Sequence, residues 1–278
     1  MTANQAQIDY WNGPTGDKWA KHSSETDRNL AEAADAALRL ANVQPGERVL
    51  DIGCGAGVTS LMLADAVGPG GYVTGVDVSR PMLALARSRP HAGNVEFIEG
   101  DAALYSFRSD RDLIFSRFGV MFFVDPLAAF INIRKGAARS GRLAFICWRA
   151  VAENEWVALP YRAAKPVLPE QKPVPPHAPG PFAFADADRL RGILTDAGFS
   201  AVGVEKFDGL MDLGPSPEHA SFQVTQLMGP TARALRDVDD ATRARAQDAV
   251  SQALAKHQTG AENIRLGIAC WLVSAKAG

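Results

Sequence analysis

Between residues 47 and 150, short apolar runs alternate with stretches whose apolar positions recur every three or four residues. Short continuous apolar runs mark strands buried on both faces, and the three-to-four spacing marks helices. The pattern predicts strands at 48–53, 72–78, 95–98, 112–115 and 142–148. Helices fall between them: one at 58–67, one opened by Ser79 and Pro81, and one opened by Asp125 and Pro126 that carries Leu127, Phe130 and Ile131 on one face. A Ser or Asp ahead of a helix supplies a cap, and Pro suits the first turn. Repeated strand–helix alternation implies a parallel sheet with right-handed crossovers.

The flanks read differently. An alanine-rich amphipathic helix at 30–40 is ended by Asn42 and Pro45-Gly46. Before it, residues 1–29 are polar yet carry Trp11 and Trp19. Large aromatics seek burial, so they either staple this leader to the core or make it a flap over a ligand. Residues 150–185 break the rhythm, with a helix at 153–164 and then a proline-rich run. Long irregular segments are lids, binding loops or linkers. Apolar residues at both ends (Trp156, Tyr161, Phe182, Phe184) favour a docked lid. Regular structure resumes with a helix from Asp186 that stops at Gly198, a strand at 201–207, helices at 217–228 and 231–257, and a last strand at 264–273. The chain thus divides into a helical, ligand-covering leader (1–44), a ligand-binding core (45–149), a lid insertion (150–185) and a return to the sheet with additional helices (186–278).

The most informative stretch is Val49-Leu50-Asp51-Ile52-Gly53-Cys54-Gly55-Ala56-Gly57, where a strand turns through glycines into a helix. Glycine permits positive φ and close approach of another molecule, and a helix start offers unpaired N–H groups with a partial positive charge. The dinucleotide fingerprint needs its third glycine where Val58 stands. An acid ahead of the first glycine suits a cationic amino group better than a pyrophosphate. Ligands of open parallel sheets lie beyond the carboxyl ends of the strands. That rule selects Asp51, Gly53, Cys54, Gly55 and Gly57 after the first strand, and Asp77 and Val78 after the second. Gly100, Asp101 and Ala102 follow the third strand, and the run Ser116-Arg117-Phe118-Gly119-Val120-Met121-Phe122-Phe123 follows the fourth. A carboxylate at Asp77 can accept two vicinal ribose hydroxyls; the blander alternative is a helix cap, although Ser79 is better placed for that. Asp101 has a blander reading as a turn former, and Arg117 as a structural partner of an acid such as Asp51. Met82 and Phe118 are candidates to sandwich an adenine or simply to pack in the core.

The loop Asp51-x-Gly53-x-Gly55-x-Gly57 resembles that of class I S-adenosylmethionine-dependent methyltransferases. The order of motifs over residues 45–150 fits as well. The run from Ser116, Asn154-Glu155-Trp156, and the leader with Trp11-Asn12-Gly13 and Trp19 look like the small-molecule branch related to ubiquinone and menaquinone biosynthesis. The resemblance implies a doubly wound, seven-stranded, mostly parallel α/β sheet of Rossmann-like methyltransferase type with a helical, proline-rich lid. It implies S-adenosylmethionine as cofactor and S-adenosylhomocysteine as product. At Asp101 it implies an acceptor for the adenine amino group, with a neighbouring N–H to a ring nitrogen. Trp11, Trp19, Ser116, Arg117 and Phe118 then join the cofactor site, while Met121, Phe122, Trp156 and Tyr161 face a small, apolar or aromatic methyl acceptor. The insertion and the last third of the chain leave the acceptor unidentified.

Methyl transfer from a sulfonium is a displacement that asks mainly for positioning and exclusion of water. A base matters only for a poorly acidic hydroxyl; His177 and Tyr161 are the weak candidates, and His22, His91, His219 and His257 read as surface residues. The absence of an evident base keeps a non-catalytic, cofactor-binding protein of the same fold as the alternative.

Composition narrows the classes. The chain has 278 residues, 47% hydrophobic and 22% charged, with formal net charge −2. That describes a globular protein with an ample core and no general attraction to nucleic acid or anionic membrane. An RNA methyltransferase would carry a basic stripe; the arginines of 233–245 are interleaved with aspartates. No basic start leads an apolar core and no run is long enough to span a bilayer, so a cytoplasmic protein without secretory signal is expected. Cys54, Cys147 and Cys270 lie far apart, with no metal spacing, and are expected to be reduced. The two C-terminal helices could form a homodimer contact or cover the sheet.

Overall fold

A computed structural model describes residues 4–171, 175, 177–258 and 263–278. Three short helices, α1 (Gln5–Trp11), α2 (Pro14–Lys21) and α3 (Ser23–Asn29), lead into α4 (Ala31–Ala41). The core then alternates β1 (Arg48–Ile52), α5 (Val58–Val67), β2 (Tyr72–Asp77), α6 (Arg80–Ser88), β3 (Val95–Glu99), β4 (Arg111–Arg117), α7 (Pro126–Arg134) and β5 (Ala137–Trp148). The insertion contributes α8 (Glu155–Ala164); α9 (Ala187–Asp196) and β6 (Ser200–Asp212) return to the sheet. After α10 (Pro217–Phe222), a π-turn (Gln223–Leu227), α11 (Gly229–Ala234) and α12 (Asp240–Ala255), the chain ends in β7 (Arg265–Lys276).

The strands form one seven-stranded sheet in the order β3-β2-β1-β4-β5-β7-β6. β1 to β5 are parallel, and β7 enters antiparallel between β5 and β6. This is the doubly wound, mostly parallel sheet expected from the alternation of elements. Because β1 and β4 are central, their side chains are sealed on both faces: Leu50, Ile114 and Phe115 are fully buried. The order reverses beside β1, which puts the switch point of the sheet at the carboxyl ends of β1 and β4.

Four details depart from the pattern. The leader, expected as a helical segment with its one periodic helix at 30–40, adds three short helices between residues 5 and 29. On α7 the buried residues are Ala129, Phe130 and Ile133, whereas Leu127 and Ile131 face solvent. The two apolar residues beside Phe130 on the helical wheel therefore belong to the outer side. The helix expected over 231–257 is broken between α11 and α12, where Asp239 caps α12 by accepting the Thr242 N–H at 2.8 Å. β6 runs on through Asp208 and Asp212, past the end of its apolar pattern, because backbone pairing to β7 holds an edge strand whose outer side is wet.

The ends of the insertion are packed down: Trp156 and Phe184 are buried and Phe182 lies against the core. α12 packs on α8 and α10. The three cysteines are buried and free. Among the described residues no helix is long and apolar enough to cross a membrane.

Candidate active site

The loop after β1 takes its shape from glycine. Gly53, Gly55 and Gly57 have φ of +68°, +54° and +81°. A side chain on Gly53 would lie 2.6 Å from the Cα of Gly119, so the tips of β1 and β4 meet backbone to backbone. A Cβ on Gly55 would meet the Met82 methyl at 3.0 Å. A Cβ on Gly57 would lie 2.8 Å from the Phe97 ring and 2.9 Å from the Ala86 Cβ, so the protein's own atoms explain all three glycines without a ligand.

Asp77, at the end of β2, holds the loop. One carboxylate oxygen accepts the Gly55 N–H and the other the Ser79 N–H, each at 2.8 Å. Burial raises its carboxyl above the usual range, against the N–H groups of Ser79, Gly55 and Val78 that lower it. A carboxylate has about four lone-pair sites, so acceptor capacity remains. Ser79 occupies the cap position of α6 but does not cap with its side chain. Its hydroxyl donates to the Trp11 carbonyl at 2.8 Å. The helix is capped from the leader instead: the Asn12 oxygen accepts the Arg80 N–H at 3.0 Å, and its amide donates to the Val78 carbonyl at 2.8 Å.

Two further carboxylates are left incomplete. Asp51 is buried; one oxygen accepts the Thr59 and Ser60 hydroxyls at 2.9 and 2.6 Å, while Oδ1 is buried without a partner among the described residues. Burial pushes its carboxyl up to about 6, opposed by the two hydroxyls and by Arg117. Asp101, after β3, accepts the Ala103 N–H at 3.0 Å and the Asn4 amide at 3.2 Å on Oδ1, and its Oδ2 is likewise buried and partnerless. Gly100 and Ala102 are pinned beside it. The Gly100 N–H donates to the Asp77 carbonyl, and the Ala102 carbonyl accepts the Asn132 amide. A buried acceptor without a donor costs about 1–3 kcal/mol. The Cys54 thiol is driven well above its usual range by burial, then by the charges of Asp77 and Asp51. It is an inert packing group.

At the tip of β4, Ser116 donates to the Ile52 carbonyl at 2.7 Å and accepts the Gly119 N–H at 3.1 Å, tying β4 to β1. Arg117 pairs with Asp27 of α3 at 3.0 Å, not with Asp51. Phe118 adopts φ of +61°, a costly backbone for a non-glycine residue. Its ring stacks on Trp148 at 4.3 Å and 11°, and Trp148 leans on Trp156 at 5.0 Å. Phe118 therefore turns one face to Trp148 of β5, while Met82 sits beside Gly55, so the two side chains make separate contacts. A second aromatic group joins leader to core: Trp11 is edge-on to Phe122 at 5.3 Å and to Trp19 at 5.6 Å.

Of the residues expected to face an acceptor, Phe122 and Tyr161 are half-buried. The Met121 side chain is fully buried in the core and only its carbonyl reaches the insertion, accepting the Gly180 N–H. Trp156 is buried with its indole N–H on Asn154. Asn154 is itself saturated between β5 and β7 (it accepts the Ala269 N–H at 2.9 Å), which makes the Asn-Glu-Trp segment a structural staple. His177 is exposed, on a backbone with φ of +62°.

Sequence reasoning missed the polar anchors of the leader (Asn4, Asn12, Asp27), because short polar helices have no apolar period; the two tryptophans were their only signal. It also placed His22 and His219 on the open surface. Both are half-buried and meet at one carboxylate: His22 Nδ1 lies 3.2 Å from Glu25, and Gln223 bridges Glu25 at 2.9 Å to His219 at 3.2 Å. Burial would raise the Glu25 carboxyl, but the hydrogen bonds from Gln223 and His22 hold it below the usual range.

Two cavities, of about 420 and 200 Å³, lie elsewhere, between α4 and α5 and at the β6–β7 edge. The crevice at the glycine loop is closed over by the leader.

Residues 49–141 match a family model described as a methyltransferase domain. The demethylmenaquinone methyltransferase of Listeria monocytogenes is 34% identical over 113 residues, 39% of this chain and 48% of that protein. That of Staphylococcus epidermidis is 26% identical over 180 residues, 60% and 74% of the two chains. Against its more similar curated relatives, the match thus spans about half of their length. Among solved structures, a SAM-dependent methyltransferase from Aquifex aeolicus shares 18% identity with TM-score 0.51 over 98% of both chains. The magnesium protoporphyrin IX methyltransferase of Synechocystis, solved with bound SAH, shares 16% with TM-score 0.54 over 99% of both chains. At these identities the structural likeness is one of fold.

Proposed function

We propose that this member of the class I S-adenosylmethionine-dependent methyltransferases transfers a methyl group from that cofactor to a small acceptor with an apolar or aromatic body. The observation that carries the reading is the pair of buried, partnerless carboxylate oxygens, Asp51 Oδ1 and Asp101 Oδ2, on either side of Asp77 at the strand tips. Other buried polar atoms also lack a partner among the described residues, Asp110 Oδ1 included, but these two carboxylate oxygens lie beside the glycine loop and Asp77 at the strand tips, where they ask for donors. The cofactor has a donor at each end, an ammonium on its amino acid and an amino group on its adenine. The residues fit the group: Asp51 would hold the ammonium, Asp77 the ribose hydroxyls with its spare lone pairs, and Asp101 the adenine amino group. When bound, the cofactor supplies an activated methyl group on a sulfonium, so no protein nucleophile is required.

This chain's residues then have three tasks. The glycine loop and Asp77 fix the donor side. Trp11, Trp19 and Phe122 shut the leader over the strand tips and exclude water, which strengthens every polar contact beneath them. Phe118 and Trp148 offer a flat aromatic wall for an acceptor, of the kind that lines small-molecule pockets. Trp156 reaches it only as a backing for Trp148, and Met121 only through its backbone. No side chain is assigned as a base. The demethylmenaquinone relatives make a quinol-like aromatic acceptor the first to try.

Titration calorimetry with S-adenosylmethionine and S-adenosylhomocysteine tests the reading. Binding at submillimolar concentration is expected, and its absence would reject it. Asp77→Ala should weaken binding by about 1–3 kcal/mol, the cost of unpaired buried partners; equal affinity would remove Asp77 from the ribose site. Binding without turnover, over a panel of phenols, thiols, amines and hydroquinones, would make the protein a non-catalytic binder.

A further inference from the structure

The outer side of α7 carries an apolar stripe that the fold leaves uncovered. Val124 just ahead of the helix, then Leu127 and Ile131, follow the three-to-four spacing of one helix face, with the exposed Ala128 between them. The inner face is already complete, with Ala129, Phe130 and Ile133 buried. Leu104 widens the stripe. Asn132 donates to the carbonyls of Ala102 and Tyr105 at 3.0 and 2.9 Å, which clamps the turn holding Leu104 against α7. Val124, Leu127, Ile131 and Leu104 are 37% to 62% exposed. Apolar side chains scattered singly on a surface need no explanation, whereas a contiguous patch marks an interaction site. The two ends of the stripe carry opposite charges. Asp125 caps the start of α7 by accepting the Ala128 N–H at 3.0 Å. Lys135, one helical turn past Ile131, is exposed at the other end. The Ser109 hydroxyl donates to the Lys135 carbonyl at 2.7 Å, which brings the exposed Arg108 to the same end. Asp110, the acid next to it, is taken by Arg48 and Arg111.

We propose that the outer face of α7 docks a second copy of this chain, the two helices packing antiparallel about a two-fold axis between Ala128 and Ile131. A two-fold interface joins the same patch of both copies, so each contact is made twice. In this order Leu127 of one copy meets Ile131 of the other, and the small Ala128 lets the helices approach closely. Asp125 of each copy then lies at the Lys135 and Arg108 end of the other, and the antiparallel helix dipoles agree with that pairing. A parallel order would set like charges side by side. The patch thus supplies its own complement, which is why a second copy suits it. A net charge of −2 and an acid at one end suit an anionic bilayer poorly. The C-terminal helices are not free for this task, because α12 buries Ala246, Val250 and Leu254 and packs on α8 and α10. One helix face and one turn fall short of the roughly 1,200–2,000 Å² of a standard interface, so the dimer is reversible. The proposal stands apart from the methyltransferase reading.

Sedimentation velocity of the full chain, from low to several hundred micromolar, tests the proposal. The sedimentation coefficient should climb from monomer to dimer across that range and go no further. Leu127→Gln combined with Ile131→Gln should lower the association constant by about tenfold or more. The melting temperature should hold, since both side chains are exposed. Ala128→Glu, which sets two like charges against each other at the axis, is a second variant should the first melt early. Lys135→Glu places an acid opposite Asp125 of the other copy and should weaken association about three- to tenfold. Adding Asp125→Asn, which still caps α7, removes that repulsion and should recover part of the loss. This recovery reports the antiparallel order, which a merely sticky patch would not produce. A chain that stays monomeric throughout overturns the proposal, as does association untouched by the folded Leu127/Ile131 or Ala128 variants, or no recovery in the double charge variant. Co-pelleting of a monomeric chain with phosphatidylcholine vesicles would give the face to lipid and overturn it as well.

Discussion

Replacing Asp51 with asparagine separates stability from binding. The carboxyl is buried, and its affinity for protons is raised from 3.8 to about 6. A group whose folded pKa exceeds its unfolded pKa favours the fold only while protonated. That contribution is present below about pH 4 and is lost as pH climbs to about 6. Two pKa units correspond to about 3 kcal/mol at neutral pH. The amide in Asp51→Asn would keep one oxygen for Thr59 and Ser60, carry no charge, and place an N–H where the partnerless oxygen stood, at a cost of about 1–3 kcal/mol. The two effects nearly cancel at pH 7, so the absolute stability decides little. The difference between the two proteins is diagnostic. Thermal or urea unfolding of both between about pH 4 and pH 7.5 should show the wild type losing about 3 kcal/mol relative to the variant, most of it by about pH 6.5. Titrating groups remote from Asp51 cancel in that difference, and Asp77, whose charge reaches Asp51, titrates with it. A flat difference, or one of opposite slope, would refute the view of Asp51 as a destabilised acid kept for a ligand. Binding should respond in the opposite sense. Wild-type affinity for S-adenosylhomocysteine should rise with pH through about 6 as the carboxylate ionises, and in the variant it should be weak and without that rise.

Two other variants probe the frame around the site. Asn12→Ala removes the cap on α6 and the bond to Val78, and should cost about 1–2 kcal/mol and speed proteolysis of the leader; unchanged cleavage kinetics would count against Asn12 as an anchor. Gly53→Ala would place a Cβ 2.6 Å from Gly119 on a backbone with φ of +68°, so a loss of roughly 3 kcal/mol or more is expected. A normal urea midpoint would show that the two loops can part.

The sequence by itself determined the sheet and its winding. Apolar runs too continuous for one-sided strands, alternating with helical spacing, admit only a covered parallel sheet. The ligand edge of such a sheet is set by topology, so the acids and glycines at 51–57, 77 and 100–102 could be picked out one by one. Local capping and partner choice were beyond it. Ser79 is the better local cap for α6, yet Asn12 does the work from 68 residues away. Arg117 finds Asp27 and not the nearby Asp51. Phe118 turns to Trp148, and Met121 into the core. The leader's helices are short and polar, with nothing periodic to announce them; they exist because Trp11 and Trp19 have aromatic partners in the folded chain and Asn4, Asn12 and Asp27 have polar ones. Periodicity reports which face of an element is buried. Which distant group meets a given donor or charge is decided only when the tertiary fold sets their distances.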